Sequence, residues 1–405
     1  MWLTATLFYA LDYFLHTAPA QLLAPISNTI FQNTDIKNIA RIGDIMSIYF
    51  PVYAISQIPA GYFLDRFGVR IPLTCACLVV GLGLWVSTTG SIETLILGRI
   101  LTAAGSAFAF LGALKTATMW LPSSQLGLAV GLTNSIGTVL GGAILGLPLL
   151  NSLISGNNNN WQYALMLFAI ICLYVSCMML LFLRTNTSKK TSQRKHLLLK
   201  PVKFKQIVSS IFLALYAGIM VGIIVNAMGE SYGVIILHQT LNIPNKLATY
   251  ISASLFVGIA IGGPTHGYIT TRYKISPPRW MLFFCAMSCA LYFIKTMLYF
   301  TNTPVFIFIL LTLLLGFSVS SMLLAFSWTR DFYPKYFHAR IFALINVTIA
   351  ICGYGFLRLF GWMESSSVTT SGSLQKHLLL FTIPLAFSLL LCYVGTRKDR
   401  AINEE

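Results

Sequence analysis

Asp12 and His16 stand four residues apart in a stretch that is otherwise mostly apolar, with Tyr9 and Tyr13 close by. At 100° per residue these four side chains share one face of a helix, and the i,i+4 pair can hydrogen-bond. An acid beside an imidazole in apolar surroundings suits a proton-binding or polar-solute site, and a neutral bond that only packs two helices suits the spacing as well. A second pair, Asn226 and Glu230, repeats the spacing, with Tyr216 expected on the same side. Glu230 lies nearer the end of its apolar stretch and fits either a coupling carboxylate or an acid at an interface. Arg358, one turn after Tyr354, is the expected partner of Glu230, because a bidentate Arg–carboxylate contact fits a gate or an anchor for an acidic solute. Arg99 sits too far inside its stretch to be a loop charge and reads as a further site residue, with pairing to Glu93 as the plainer alternative.

The elements that must carry these residues follow from composition. Of 405 residues 56% are hydrophobic and 9% charged, against about 25% charged in soluble domains. Apolar runs of about 20 residues can span a bilayer. Twelve are read, at 3–30, 41–63, 70–89, 92–119, 125–152, 161–184, 206–238, 245–271, 279–300, 304–330, 337–362 and 373–395. The expected fold class is therefore an all-α integral membrane protein with 12 transmembrane helices in two pseudo-symmetric six-helix bundles. The bundles are 1–184 and 206–396, joined by a basic linker at 185–205 and followed by a tail at 397–405. The first run carries Asp12 and His16, lacks a basic leader and reads as a retained helix rather than a cleaved signal. Ionisable groups at bilayer depth cost about 2.5–3.5 kcal/mol on insertion scales, so each needs a role or a partner. Lys115 and Lys295 are expected to snorkel toward the membrane surface.

The net charge of +16 does not indicate nucleic acid. With both termini in the cytoplasm, 19 of the 27 Lys and Arg fall on cytoplasmic segments, four on outer ones and four within helices. That is the positive-inside asymmetry of an inner (plasma) membrane protein, with attraction to anionic lipid heads as a consequence. All eight cysteines lie in apolar spans and read as packing residues, with no disulfide, metal site or cofactor implied.

Between the second and third runs lies the decapeptide Gly61-Tyr62-Phe63-Leu64-Asp65-Arg66-Phe67-Gly68-Val69-Arg70. A shift of 206 positions finds its echo, Gly267-Tyr268-Ile269-Thr270-Thr271-Arg272-Tyr273-Lys274. Gly, Tyr and Arg recur in register, as expected of a duplicated bundle whose function lies between its halves. Gly61 is expected to let a helix end approach its neighbour. Asp65 can accept hydrogen bonds at the positive end of a nearby helix, and Arg66 and Arg70 can pair with acids or lipid phosphates. Together with Arg272 they read as a conformational latch, weak in the second copy, where Thr271 replaces the acid.

The topology, the basic central segment and this motif resemble the major facilitator superfamily over essentially the whole chain. Gly98-Arg99-Ile100-Leu101-Thr102-Ala103-Ala104-Gly105 is similar to the family's Arg-containing helix-four motif. The stretch 229–233 (Gly-Glu-Ser-Tyr-Gly), followed by Gly262-Gly263-Pro264, resembles a branch of bacterial facilitators. The resemblance implies the major facilitator fold, alternating access, a helix starting near Phe337 as the target of Asp65, and a solute site between the halves. The glycine-rich helix five lacks the Gly-Pro pair of the family's antiporters, which counts against drug–proton antiport.

No nucleotide-binding loop, His-Glu-x-x-His or Gly-x-Ser-x-Gly motif is present, so an enzyme is not expected and a polytopic membrane enzyme is a distant alternative. The functional expectation is a secondary active transporter, acting as a monomer. It moves a small polar organic solute, carboxylate-bearing or zwitterionic (organic acid, amino acid or short peptide), by proton-coupled symport. The alternative is proton-driven efflux of a drug, siderophore or metabolite.

Overall fold

The computed structural model describes residues 1–32, 34–121, 126–156, 160–184, 204–299, 301, 303–332, 338–366 and 371–397. The linker at 185–203 and the tail at 398–405 lie outside the described residues. The described residues are helical and contain no strand. Ten helices among them are long and apolar enough to cross a membrane.

The first two expected spans each break in the middle. The first divides into α1 (Trp2–Thr17) and α2 (Pro19–Phe31), and the second into α3 (Ile36–Ser47) and α4 (Tyr49–Phe67). Proline is the physical reason. Pro19 and Pro51 have no N–H to donate to the carbonyls four residues back, those of Leu15 and Ser47. The rest of the first half is α5 (Arg70–Ser87), α6 (Ile92–Ser106), α7 (Ala109–Trp120), α8 (Leu126–Ile136), a π-helical segment (Gly137–Leu149), α9 (Leu150–Gly156) and α10 (Trp161–Phe182).

The second half begins with α11 (Phe204–Met220). A π-helical segment (Val221–Ala227) and a non-helical turn at Met228–Tyr232 then lead to α12 (Gly233–Leu241). The expected single seventh helix is thus interrupted, which rotates its lower and upper parts relative to each other. Tyr216, Asn226 and Glu230 accordingly do not share one side. The chain continues through α13 (Asn245–Arg272), α14 (Pro277–Leu298), α15 (Val305–Val319), α16 (Leu323–Phe332), α17 (His338–Ser366), α18 (Ser371–Leu380) and α19 (Thr382–Arg397).

The halves meet along two seams. The π segment Gly137–Leu149 packs on both α1 and α13, and α17 packs on α3 and α4. Small residues permit the first seam. A Cβ at Gly141 would overlap the Ala10 carbonyl, and Gly142 lies under the Phe256 ring. Polar contacts close the end of the bundle that carries Asp44. There Gln21 Nε2 donates to Thr249 Oγ1 at 2.9 Å, and Asn245 Nδ2 donates to Asn151 Oδ1 at 3.0 Å. Arg358 grips Asp44 at 3.2 and 3.4 Å, while its Nη1 donates to Tyr354 Oη at 3.0 Å. The backbone N–H of Ala20 donates to the Glu230 carbonyl at 3.0 Å. The Tyr232 ring tip rests directly on Gly43, where any Cβ would collide with the hydroxyl.

Candidate functional site

At the middle of the seam, His16 lies between two carboxylates from different halves. Its Nε2 is 3.7 Å from Asp12 Oδ1, one turn back on α1, and its Nδ1 is 3.5 Å from Glu230 Oε2 in the turn before α12. Both acids are buried, Asp12 at 1% and Glu230 at 3% exposure. Tyr49 Oη donates to Asp12 Oδ1 at 2.6 Å. Glu230 Oε2 completes no hydrogen bond of good geometry, so its 3.5 Å contact with His16 across the interface is an ion pair only when the imidazole is protonated. A helix cannot place Glu230 there, but the turn can. The Glu230 N–H donates to the Val225 carbonyl at 2.7 Å, five residues back, which continues the wide π-type winding of the preceding segment and turns the side chain toward α1.

Aromatic rings enclose His16. Tyr49 stands 4.8 Å from it by centroids, Phe50 and Tyr53 at 5.8 Å, and Tyr13 at 5.9 Å. Tyr13 also meets Phe256 of α13 edge-on at 6.3 Å, so this wall spans both halves. Tyr9 is set back, its hydroxyl donating to Asn134 Oδ1 at 3.3 Å and its ring against Tyr13 and Phe110.

Arg99 of α6 serves the two proline breaks. Its Nη1 donates to the Leu15 carbonyl at 3.3 Å, the acceptor that Pro19 leaves free. Its Nε and Nη2 both donate to the Met46 carbonyl, at 3.2 and 3.0 Å, beside the α3–α4 break. A cation there lies at the negative ends of two short helices. The guanidinium carbon also lies 4.7 Å from the Tyr49 ring centroid, close enough for a cation–π contact. Arg99 therefore holds the helices that present Asp12, His16 and Tyr49. No contact to Glu93 is needed to account for it.

Other expected residues are placed elsewhere. Arg358 pairs with Asp44, not with Glu230, a correction that follows from the break in the seventh span: Glu230 turns toward α1 while Arg358 faces α3. Asn226 is buried against Gly353 of α17. In the loop motif, Gly61 makes no close approach, since a Cβ there would meet nothing within 4 Å. Arg66 donates to Tyr62 Oη at 2.6 Å on its own helix, and Arg70 Nε donates to the Leu180 carbonyl at the end of α10, at 2.8 Å. Arg272 is exposed. The side chains of Asp65, Thr271 and the first turn of α17 lie outside the described residues. Lys115 does not reach solvent freely but donates to the Leu64 carbonyl at 2.7 Å. Tyr49, Asp44, Gln21 and Thr249 were missed by sequence reasoning. Only Asp44, an acid inside an apolar run, carried a signal that could have found it.

The chain matches the Major Facilitator Superfamily over residues 3–355. It belongs to that family. Among curated relatives, the probable sulfoacetate transporter SauU of Cupriavidus necator is 32% identical over 106 residues, covering 26% of this chain and 24% of the relative. The uncharacterized transporter YybO of Bacillus subtilis is 31% identical over 137 residues, covering 32% and 29%. The chain thus spans about a quarter to under a third of the length of these relatives that it matches. Among solved structures, the D-xylose-proton symporter superposes with a TM-score of 0.81 at 14% identity, covering 97% of this chain and 96% of that one. A bacterial homologue of the human lysosomal transporter Spinster, inward-facing and occupied, superposes with a TM-score of 0.72 at 14% identity, covering 98% and 96%. The fold is that of a major facilitator.

Proposed function

We propose that this transporter is a proton-coupled symporter for a small polar organic solute bearing a carboxylate, with a zwitterion as the best-suited form. The observation that carries the reading is His16 held between Asp12 of one half and Glu230 of the other. The attraction across the seam exists only while Glu230 is ionised and His16 is charged. A proton taken up by Glu230 cancels it and frees the halves to rock, which is the coupling that alternating access requires. When the halves part, Asp12, still ionised, is released to receive the ammonium of a zwitterion, and the aromatic wall excludes water around it. Two similar proteins, the D-xylose-proton symporter and the probable sulfoacetate transporter, agree with proton coupling and with a small polar cargo. The protein is taken to sit in the inner membrane as a monomer with both termini and the 185–205 linker in the cytoplasm. The Asp44 end is then the outer gate, and the decapeptide with Asp65 is the latch of the inner one.

Uptake into proteoliposomes, with a panel of labelled amino acids, short peptides and organic acids, tests the reading. Accumulation should follow an inside-alkaline pH gradient. Glu230→Gln should keep solute exchange while losing gradient-driven accumulation, and Asp12→Asn should lose both. Uptake that ignores the gradient and survives Asp12→Asn sinks the proposal.

A further inference from the structure

Behind the turn that carries Glu230, within the second half, lies a small cavity of about 20 Å³ lined by Lys295, Thr312, Tyr292, Thr296, Ser252 and Gly229, among others. A single water-sized species needs about 10–15 Å³. Lys295 of α14, expected to snorkel outward, instead turns into this cavity and is 9% exposed. Its ammonium lies 5.8 Å from the Tyr299 ring centroid, and no carboxylate among the described residues ion-pairs with it. Thr312 is 2% exposed, and its buried hydroxyl has no hydrogen-bond partner. Two neighbouring hydroxyls are already committed, Tyr292 Oη to the Leu378 carbonyl at 3.3 Å and Thr296 Oγ1 to the Tyr292 carbonyl at 2.9 Å.

A buried ammonium without a counter-charge is costly, and so is a buried hydroxyl without an acceptor. One occupant resolves both. We propose that the Lys295–Thr312 cavity is a binding site for a small monovalent inorganic anion of halide size. Lys295 supplies the charge and Thr312 a donated hydrogen bond, and the cavity is too small for a carboxylate solute. Gly229 lines the cavity and the next residue, Glu230, reaches His16, so an anion held there would brace the turn from behind. The site stands apart from the solute pathway and does not depend on the coupling reading.

The test compares the unfolding midpoint of the purified full chain in sodium chloride and in sodium gluconate at equal ionic strength. Chloride should raise the midpoint saturably and gluconate should not. Lys295→Met should abolish the difference, and Thr312→Val should weaken the apparent affinity about tenfold, as expected for loss of one hydrogen bond to a charged group. Equal responses to the two salts, or an undiminished chloride response in Lys295→Met, overturns the proposal. Should Lys295→Met not fold, crystals of the wild-type chain grown in sodium bromide decide the matter. An anomalous peak between Lys295 and Thr312 supports the site, and its absence at saturating bromide overturns it.

Discussion

Replacing Arg99 by Met separates two roles for this guanidinium, support of the helix breaks and direct contact with solute. In the structure all three of its nitrogens donate, two to the Met46 carbonyl and one to the Leu15 carbonyl. Met fills much of the volume but donates to neither carbonyl. The Met46 carbonyl keeps the N–H of Ile48, so the Leu15 carbonyl alone is left without a partner, at about 1–3 kcal/mol. Relief from burying the guanidinium offsets part of this, and we expect a net loss of about 1–2 kcal/mol. At about 2–4 °C per kcal/mol for a large domain, the unfolding midpoint should fall by roughly 2–8 °C. Arg99→Lys keeps the charge but cannot fork between carbonyls of two different helices, so it should recover less than half of the loss. Thermal unfolding in detergent, read by tryptophan fluorescence, gives the midpoints. Zero-trans uptake gives KM and the maximal rate for the same variants. A positioning role lowers the midpoint and the maximal rate together and leaves KM nearly unchanged. A wild-type midpoint with KM raised about tenfold, equal to 1.4 kcal/mol of lost solute binding, would refute the reasoning and put the guanidinium on the solute.

Three further outcomes are expected. Gly43→Ala drives a methyl group into the Tyr232 hydroxyl and should hold the Asp44 end open, seen as faster thiol labelling of a cysteine placed at that end; Tyr232→Phe in the same chain should relieve it, and no relief would place the clash elsewhere. Arg358→Gln removes an ion pair that is half exposed; such pairs contribute about 0.2–1 kcal/mol, so the same labelling should change by no more than about fivefold. Asp65→Asn should raise labelling at the opposite end of the bundle while Thr271→Ala does little, and equal effects would count against an unequal pair of latches.

What could be read from the sequence was set by how local each relationship is. The Asp12–His16 pair was legible because a helix fixes i,i+4 neighbours, and the structure keeps them on one face. The approach of Glu230 to His16 was not, because it depends on a turn that interrupts the seventh span, and a short polar stretch such as Gly229-Glu230-Ser231 does not say which way its side chains turn. The same interruption explains the wrong partner for Arg358: depth along a straight helix suggested Glu230, whereas the true acid, Asp44, lies on a separate span facing α17. Glu364 lies beyond the apolar run at 337–362 but falls in the last turn of α17, buried and 2.6 Å from His377 Nδ1. The proline breaks were written in the sequence as Pro19 and Pro51. That one arginine would serve both required knowing that α1, α3 and α6 converge.

The interruption at residues 228–232 also fixes where electrical work is done. In a rigid helix that pivots, a side chain travels in proportion to its distance from the pivot. Here α12, nine residues and roughly 13.5 Å long, is a separate short helix, and Glu230 sits in the turn before it. Were α12 to pivot about that turn, the carboxylate would move little along the membrane normal. Carrying one charge across a potential of 100 mV takes about 2.3 kcal/mol, and a charge at a fulcrum crosses only a small fraction of that field. A gate built in this way can open and close with little dependence on voltage, and the potential then acts on the ions that arrive and leave rather than on the protein's own acid.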